Sequence, residues 1–221
     1  MVIAHLYKDL LNLYGNDGNT KILKSKLEQM GYEVVAEEPT IGDEMHFDQY
    51  DLVFIGSGTE GNQELALKDI LRYKNDIESA IDRGVVFLAM GNALDLFGKE
   101  LIGENGDVTA ALGVLPFRSK WVNRIKNDVR RYSSFIDGEI LGFENHNYVM
   151  IDDNNSIADS QEVVKNNYFG SYIEGPILVR NPDFLKKIIA ILTDGNIDAL
   201  DLSLEEAAHD NFIKILDGGI N

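Results

Sequence analysis

Val85-Val86-Phe87-Leu88-Ala89-Met90-Gly91-Asn92-Ala93-Leu94 is the stretch that decides the fold. An unbroken apolar run from Val85 to Met90, without polar alternation, reads as a strand buried on both faces. Gly91-Asn92 interrupts it, and a short helix carrying Leu94, Leu96 and Phe97 follows at once. Strand, sharp turn and helix together form the place where a nucleophile elbow stands in α/β enzymes. The turn residue is held exposed in a strained conformation at the strand's C-terminal end, with a helix N-terminus behind it that favours an anion. Backbone N–H groups there can form an oxyanion hole. Any strand-to-helix turn shares the pattern, so the run by itself gives the fold rather than the chemistry.

Upstream, Met1 to Leu6 is a short apolar run that predicts a strand, and Gly15-Asn16-Asp17-Gly18-Asn19 a turn-rich loop. A helix follows with Leu23, Leu27 and Met30 on one face and Gly31 as its stop. Glu33 to Ala36 is a second strand candidate. Leu52 to Ile55 predicts a third, buried strand feeding the tight loop Gly56-Ser57-Gly58. From about Asn62 to Arg83 the steps between Leu67, Ile70, Leu71, Ile77 and Ile81 are helical, and Gly84 ends the element. Glu60, Glu64 and Asp69 read as a favourable charge set in its first turns. Strands alternating with helices predict a parallel sheet covered on both faces.

Downstream the character changes. Between about Val129 and Ile173, short segments separated by Asp137-Gly138 and by Asp152 to Asn155 predict antiparallel strands. Asn181-Pro182 starts another helix, with Asn as cap and Pro at the first helical position. Ser203 and Glu206 have capping-box spacing before a final amphipathic helix. With no repeat, low-complexity tract or linker, residues 1–221 read as one α/β domain.

Composition narrows the classes of function. Twenty Lys and Arg against 37 Asp and Glu give a formal charge of −17. A phosphate backbone repels such a chain, so nucleic acid is not an expected partner. There is no basic, apolar N-terminal signal region, and no apolar run reaches the roughly 18–20 residues that span a bilayer, so the chain reads as soluble and cytoplasmic with no membrane span. It contains no cysteine, which excludes disulfides, thiolate metal sites and a cysteine nucleophile.

Four segments carry a resemblance to a known family. They are Leu6-Tyr7-Lys8-Asp9-Leu10-Leu11-Asn12-Leu13-Tyr14-Gly15-Asn16-Asp17-Gly18-Asn19, then Phe54-Ile55-Gly56-Ser57-Gly58-Thr59-Glu60-Gly61-Asn62-Gln63, then Gly142-Phe143-Glu144-Asn145-His146, and last Gly170-Ser171-Tyr172-Ile173-Glu174-Gly175-Pro176 and the turn after it. In this order and over nearly the whole chain they resemble the class I glutamine amidotransferases of the cobyric acid synthase type, and within them the glutaminase subunits of bacterial lipid II isoglutaminyl synthases. The resemblance implies a flavodoxin-like three-layer α/β sandwich, mostly parallel, with the Val85 to Met90 strand near the sheet centre. It implies a site at the strand C-termini lined by Gly56, Ser57, Gly58, Gly91, Asn92 and Glu174, with Gln63 ending the oxyanion loop. It also implies docking on a Mur-ligase-like, ATP-dependent synthetase subunit.

The departures from the family fall on its catalytic residues. The family elbow reads Cys-Gly-x-x-Gln-x-x-Gly; here the frame is Gly91-Asn92-Ala93-Leu94-Asp95-Leu96-Phe97-Gly98. The cysteine position falls on Gly91 and the general-base histidine on Glu174, so nucleophile and base are both absent. Gly91 removes the steric cost of a positive φ and could relax the elbow. Asp95 stands at the glutamine position.

Substitutes are scarce. Ser57 and Ser171 lie in relevant segments without a histidine near in sequence, and Ser57 is expected to face the oxyanion from the wrong side. His146, in the Gly-Phe-Glu-x-His segment, reads as a structural, hydrogen-bonded group, His5 as a satisfied strand residue, and His46 and His209 as surface residues. Arg180 is expected near the site, where it could pair with Glu174. Asp152 to Asn155 lack EF-hand spacing and read as a turn. Neither Walker nor GxGxxG spacing is present, and no metal or cofactor is expected. Two classes of function remain. One is a degenerate amidotransferase-like subunit that holds a partner or a small amide or amino-acid ligand. The other is a hydrolase or amidotransferase of altered chemistry using Glu174 as base.

Overall fold

The computed structural model describes residues 1–218. In chain order the elements begin with β1 (Val2–His5), α1 (Asp17–Gln29), β2 (Val35–Glu37), β3 (Leu52–Ile55), α2 (Glu60–Ile70), α3 (Lys74–Arg83) and β4 (Val86–Met90). They continue with β5 (Glu100–Ile102), β6 (Val108–Ala110), β7 (Arg118–Ser133), β8 (Gly138–Ile151), β9 (Glu162–Lys165), β10 (Tyr168–Ser171), β11 (Ile173–Glu174), α4 (Ile177–Arg180), α5 (Pro182–Leu192) and α6 (Ser203–Leu216). Short 3-10 turns at Leu13–Gly15, Leu71–Tyr73 and Gly91–Phe97 join some of them.

The first sheet runs β2-β1-β3-β4-β10-β9, parallel except for the antiparallel edge strand β9. This is the flavodoxin-like order, with β10 as the fifth parallel strand. The two-residue period of β4 divides the core. Val86, Leu88 and Met90 pack with Leu23 and Leu27 of α1 and with Phe184, Leu185 and Ile188 of α5. Phe87 and Ala89 pack on the opposite face with Leu67 of α2 and with Ile77 and Ile81 of α3. Three layers result, with β4 inside the sheet. Among the described residues no helix is long and apolar enough to cross a membrane.

The second sheet runs β11-β8-β7-β5-β6 and is built on the long antiparallel hairpin of β7 and β8, which turns at Asp137 with φ 55°. Its register slips between Trp121 and Ile125, so a bulge carries Arg124. The two-residue strand β11 leaves the end of β10 and pairs with β8, placing Glu174 opposite Phe143. That crossing brings the two sheets together at the C-terminal edge of the first.

Several sequence expectations need correction. The helix expected from Asn62 to Arg83 is two helices, α2 and α3, separated by the 3-10 turn Leu71–Tyr73. Asp69 therefore sits in the last turn of α2, where it accepts from the Tyr7 hydroxyl and pairs with Arg72. Antiparallel structure begins at Glu100, where β5 pairs with β6, rather than near Val129, and the long hairpin strand β7 starts at Arg118. Asn181 is the N-cap of α5 with Pro182 behind it, but its side chain makes no capping bond, because its amide is spent on Leu141 N–H and C=O. No capping box forms on α6: Leu202 is the cap, and Asp201 Oδ1 accepts from Ser203 N–H. His5 is not satisfied. It packs edge-on against Phe54, and neither ring nitrogen has a hydrogen-bond partner. Burial lowers its pKa to about 4, so it stays neutral.

Candidate functional site

Gly91 opens the turn after β4 with φ +63°, a left-handed conformation that resists a side chain. A Cβ built there would lie 1.7 Å from Ser57 Oγ, 2.9 Å from Glu174 Cγ and 3.0 Å from Glu174 Oε1. Loop β3–α2 and strand β11 thus deliver two side chains into the volume that a residue-91 side chain would need. Gly91 and Glu174 are neighbours, as expected. Ser57 is not on the far side of the site. Its buried hydroxyl occupies the elbow and donates a long bond of 3.4 Å to Met90 O.

Loop β3–α2 approaches the chain closely. A Cβ on Gly56 would meet Asn16 and the Leu11 carbonyl, both at 2.7 Å for the nearest atoms, and one on Gly58 would meet Leu11 Cδ2 at 2.4 Å. The loop is tied to the elbow by a reciprocal pair: Gly58 N–H donates to Asn92 Oδ1 at 3.0 Å, and Asn92 Nδ2 donates to Gly58 O at 2.9 Å. The Gly58 N–H, an expected oxyanion donor, is therefore already engaged. Behind it, Gln63 Nε2 donates to Asn92 O at 2.6 Å and to Asp95 Oδ2 at 3.0 Å. The Tyr172 hydroxyl donates to Asp95 Oδ1 at 2.6 Å. Burial pushes the Asp95 carboxyl up to about 6, opposed by its hydrogen-bond donors.

His146 stacks flat on Tyr172, with ring centroids 4.1 Å apart. Its Nδ1 lies 2.6 Å from Tyr148 O, a carbonyl that only accepts, so Nδ1 carries a proton. Nε2 has no hydrogen-bond partner; Glu144 Oε2 is 3.9 Å away. Burial would raise the Glu144 carboxyl, but His146 and Arg131 outweigh it and hold it below the ordinary range. Glu174 differs. It is 1% exposed, and its Oε2 has no partner. Burial raises its pKa to about 8, against the lowering effects of the Ser57 hydroxyl and the Arg124 charge.

These groups border a cavity of about 130 Å³ whose wall includes Gly58, Gln63, Asn92, His146 and Glu174. Its rim is polar. Arg124 Nη2 pairs with Glu60 Oε1 at 2.8 Å, and Asn147 bridges the two. Tyr14, at φ +60°, closes another side and packs edge-on against Phe143. The guanidinium of the site is thus Arg124, not Arg180. Arg180 points its guanidinium to the Phe212 ring, 5.7 Å away, while its carbonyl accepts from His209. Only the break in alternation around Asn123-Arg124 could have pointed to Arg124 in the sequence. Among the described residues no group of three or more His, Cys, Asp or Glu is placed to hold a metal ion.

Residues 2–182 match the CobB/CobQ-like glutamine amidotransferase domain. The chain belongs to that family. Among curated relatives, this amidotransferase-like chain is 30% identical over 203 residues to the lipid II isoglutaminyl synthase (glutamine-hydrolyzing) subunit GatD of Streptococcus pneumoniae, covering 85% of this chain and 78% of that protein. It is 30% identical over 194 residues to the GatD subunit of Staphylococcus aureus, covering 82% and 79%. The glutaminase domain of Trypanosoma brucei CTPS with bound acivicin has the same fold, with a TM-score of 0.53 at 11% identity, over 89% of this chain and 95% of that one.

Proposed function

We propose that this chain is a non-catalytic glutamine amidotransferase-like subunit, working as a single domain in the cytoplasm beside a Mur-ligase-like, ATP-dependent synthetase. Its relatives are named as GatD subunits of a glutamine-hydrolyzing lipid II isoglutaminyl synthase, which supports a place in the same kind of two-subunit amidation. The observation that carries the reading is the elbow. In the family motif the cysteine's place falls on Gly91 and the histidine's on Glu174, the chain has no cysteine, and Ser57 and Glu174 fill the space of a residue-91 side chain. Glutaminase chemistry needs a thiolate to attack the amide carbon and an imidazolium to protonate the leaving ammonia. No thiol is present, the family's base position holds Glu174, and the Gly58 N–H is engaged by Asn92.

The test is ammonia release from glutamine by the wild-type chain and by a Ser57→Gly/Gly91→Cys/Glu174→His variant. The wild type is expected to be silent and the triple variant to gain turnover. The serine change is required because the cysteine needs the volume that Ser57 holds. Ammonia release by the wild type overturns the reading. Co-purification of the untagged synthetase with the tagged chain, unchanged in Glu174→Gln, tests the scaffold role.

A second reading draws on one observation: the Ser57 hydroxyl and the Glu174 carboxyl meet at the elbow. A hydrolase using Glu174 as base would run above pH 8, where that carboxyl is ionised, and Glu174→Gln would abolish its turnover.

A further inference from the structure

Two cavities adjoin at the C-terminal edge of the first sheet. The cavity of about 130 Å³ shares Glu60, Gln63 and Tyr148 with a neighbour of about 250 Å³. In the wall of the first stand Glu174 and His146, 1% and 4% exposed, and each keeps one buried polar atom without a partner, Oε2 and Nε2. With Nδ1 donating to Tyr148, Nε2 of a neutral His146 ring is free to accept, and the Glu174 carboxyl, once ionised, only accepts. Two such atoms in the wall of one cavity are acceptor capacity that a ligand with N–H donors can satisfy.

The charges around Glu174 point the same way. Arg124 is taken by Glu60 on α2, and Arg131 of β7 by Glu144 of β8. Among the described residues Glu174 has no ion-pair partner. The neighbouring cavity has an apolar wall from Leu67 and Leu101 and includes Asp107 and Glu64, the latter paired with Lys68 at 2.8 Å. Acid, apolar stem and acid follow one another along the paired cleft.

We propose that the cleft binds a primary alkylammonium cation, with the ammonium at Glu174 and His146 and the aliphatic stem along Tyr148, Leu67 and Leu101. In a diamine the second cation lies at Asp107, beside the Glu64–Lys68 pair. The ammonium supplies donors to acceptors that have none, and its charge offsets the Glu174 carboxyl, which has no ion-pair partner among the described residues. A free polyamine and the lysine side chain of a protein present the same chemistry. The inference rests on the non-catalytic reading in one respect: a working elbow would hold a thiol where these side chains meet.

The experiment is calorimetry and thermal melting of the full chain with butane-1,4-diamine, propylammonium and Nα-acetyl-lysine amide, and with 1-butanol and acetamide as neutral comparisons. At about tenfold over Kd the amines raise Tm by about 3–6 °C. At pH 7 binding releases close to one proton, because Glu174 ionises on meeting the cation; titration in two buffers of different ionisation heat reads this. Glu174→Gln weakens binding tenfold or more. Glu64→Gln/Asp107→Asn, on the exposed rim, weakens the diamine and not propylammonium. A diamine tighter than the lysine amide assigns the free amine, and the reverse order assigns a lysine side chain. Equal effects from the neutral compounds, or from sodium chloride at matched ionic strength, overturn the inference, as does unchanged binding in Glu174→Gln. Silent wild-type chain that also fails to bind amines removes this inference alone; ammonia release from glutamine removes the non-catalytic reading, whatever binds.

Discussion

Two halves of one site are built to different standards. Behind the elbow, the Asp95 carboxylate receives Gln63 and Tyr172, and Asn92 and Gly58 exchange two hydrogen bonds. At the elbow, Ser57 has one long bond and Glu174 leaves an oxygen unpartnered. The first half is a satisfied polar network that fixes loops against each other. The second is a close-packed corner with a buried carboxyl that has no ion-pair partner among the described residues. A fold selected only for stability would not keep an uncompensated acid at 1% exposure; such groups concentrate where a site does something.

The sharpest test of the contrast is Glu174→Gln, with stability followed against pH. The folded carboxyl has its pKa raised from 4.5 to about 8, so between those values the folded state binds more protons than the unfolded one. Wild-type stability therefore falls as pH rises through that window, is unpenalised below 4.5, and carries the full penalty above 8. At pH 9 Glu174→Gln should be more stable than wild type by about 5 kcal/mol, the free-energy equivalent of a shift of this size, and near pH 4 the two should coincide. Chemical denaturation at both pH values checks this, and a variant less stable at pH 9 would place Glu174 in the satisfied class.

Gly91→Ala comes next. The left-handed φ and the approach to Ser57 Oγ should together cost about 3 kcal/mol. Adding Ser57→Gly should recover about 1 kcal/mol, because the clash goes and the φ strain stays; the non-additivity measures the contact. Full additivity would mean that Ser57 does not hold the elbow volume.

In the satisfied half, Tyr172→Phe removes the hydroxyl donor to Asp95 and leaves a buried oxygen short of a partner. A loss of about 2 kcal/mol is expected, measured by denaturation at pH 7, with the His146 stacking surface kept. A loss below about 0.5 kcal/mol would mean that the network is not tightly satisfied after all.

The two halves also differ in how legible they were. β3 and β4 could be read because a parallel strand buried on both faces leaves an unbroken apolar run, and the glycines after them because tight turns and close backbone approach demand them. Glu174 and Gly91 could be placed together because motif order fixes which strand ends meet. The orientation of Ser57 could not, since it depends on how two loops from different strands pack side by side. Arg124 owes its place to a bulge in a hairpin whose register only pairing sets. β6, exposed along its length, carries no apolar signal. Asn181 sits at the cap of α5 with its amide drawn off by Leu141, and α6 starts at Ser203 with Leu202 as its cap, so neither side chain makes the capping bond its spacing predicts.

Arg180 gives the smallest and most discriminating effect. By motif it belongs beside Glu174, while by geometry its guanidinium lies over Phe212 of α6, a half-exposed contact. Removing a cation–π contact of this exposure is expected to cost about 0.5–1 kcal/mol. Arg180→Ala should therefore lower stability slightly and leave the raised pKa of Glu174 where it is. Arg124→Ala should push that pKa further up, because the Arg124 charge favours the carboxylate. Titrating Glu174 by carbon-detected NMR in both variants separates them. A shift in Arg180→Ala with none in Arg124→Ala would return the site's guanidinium to the position the motif suggested.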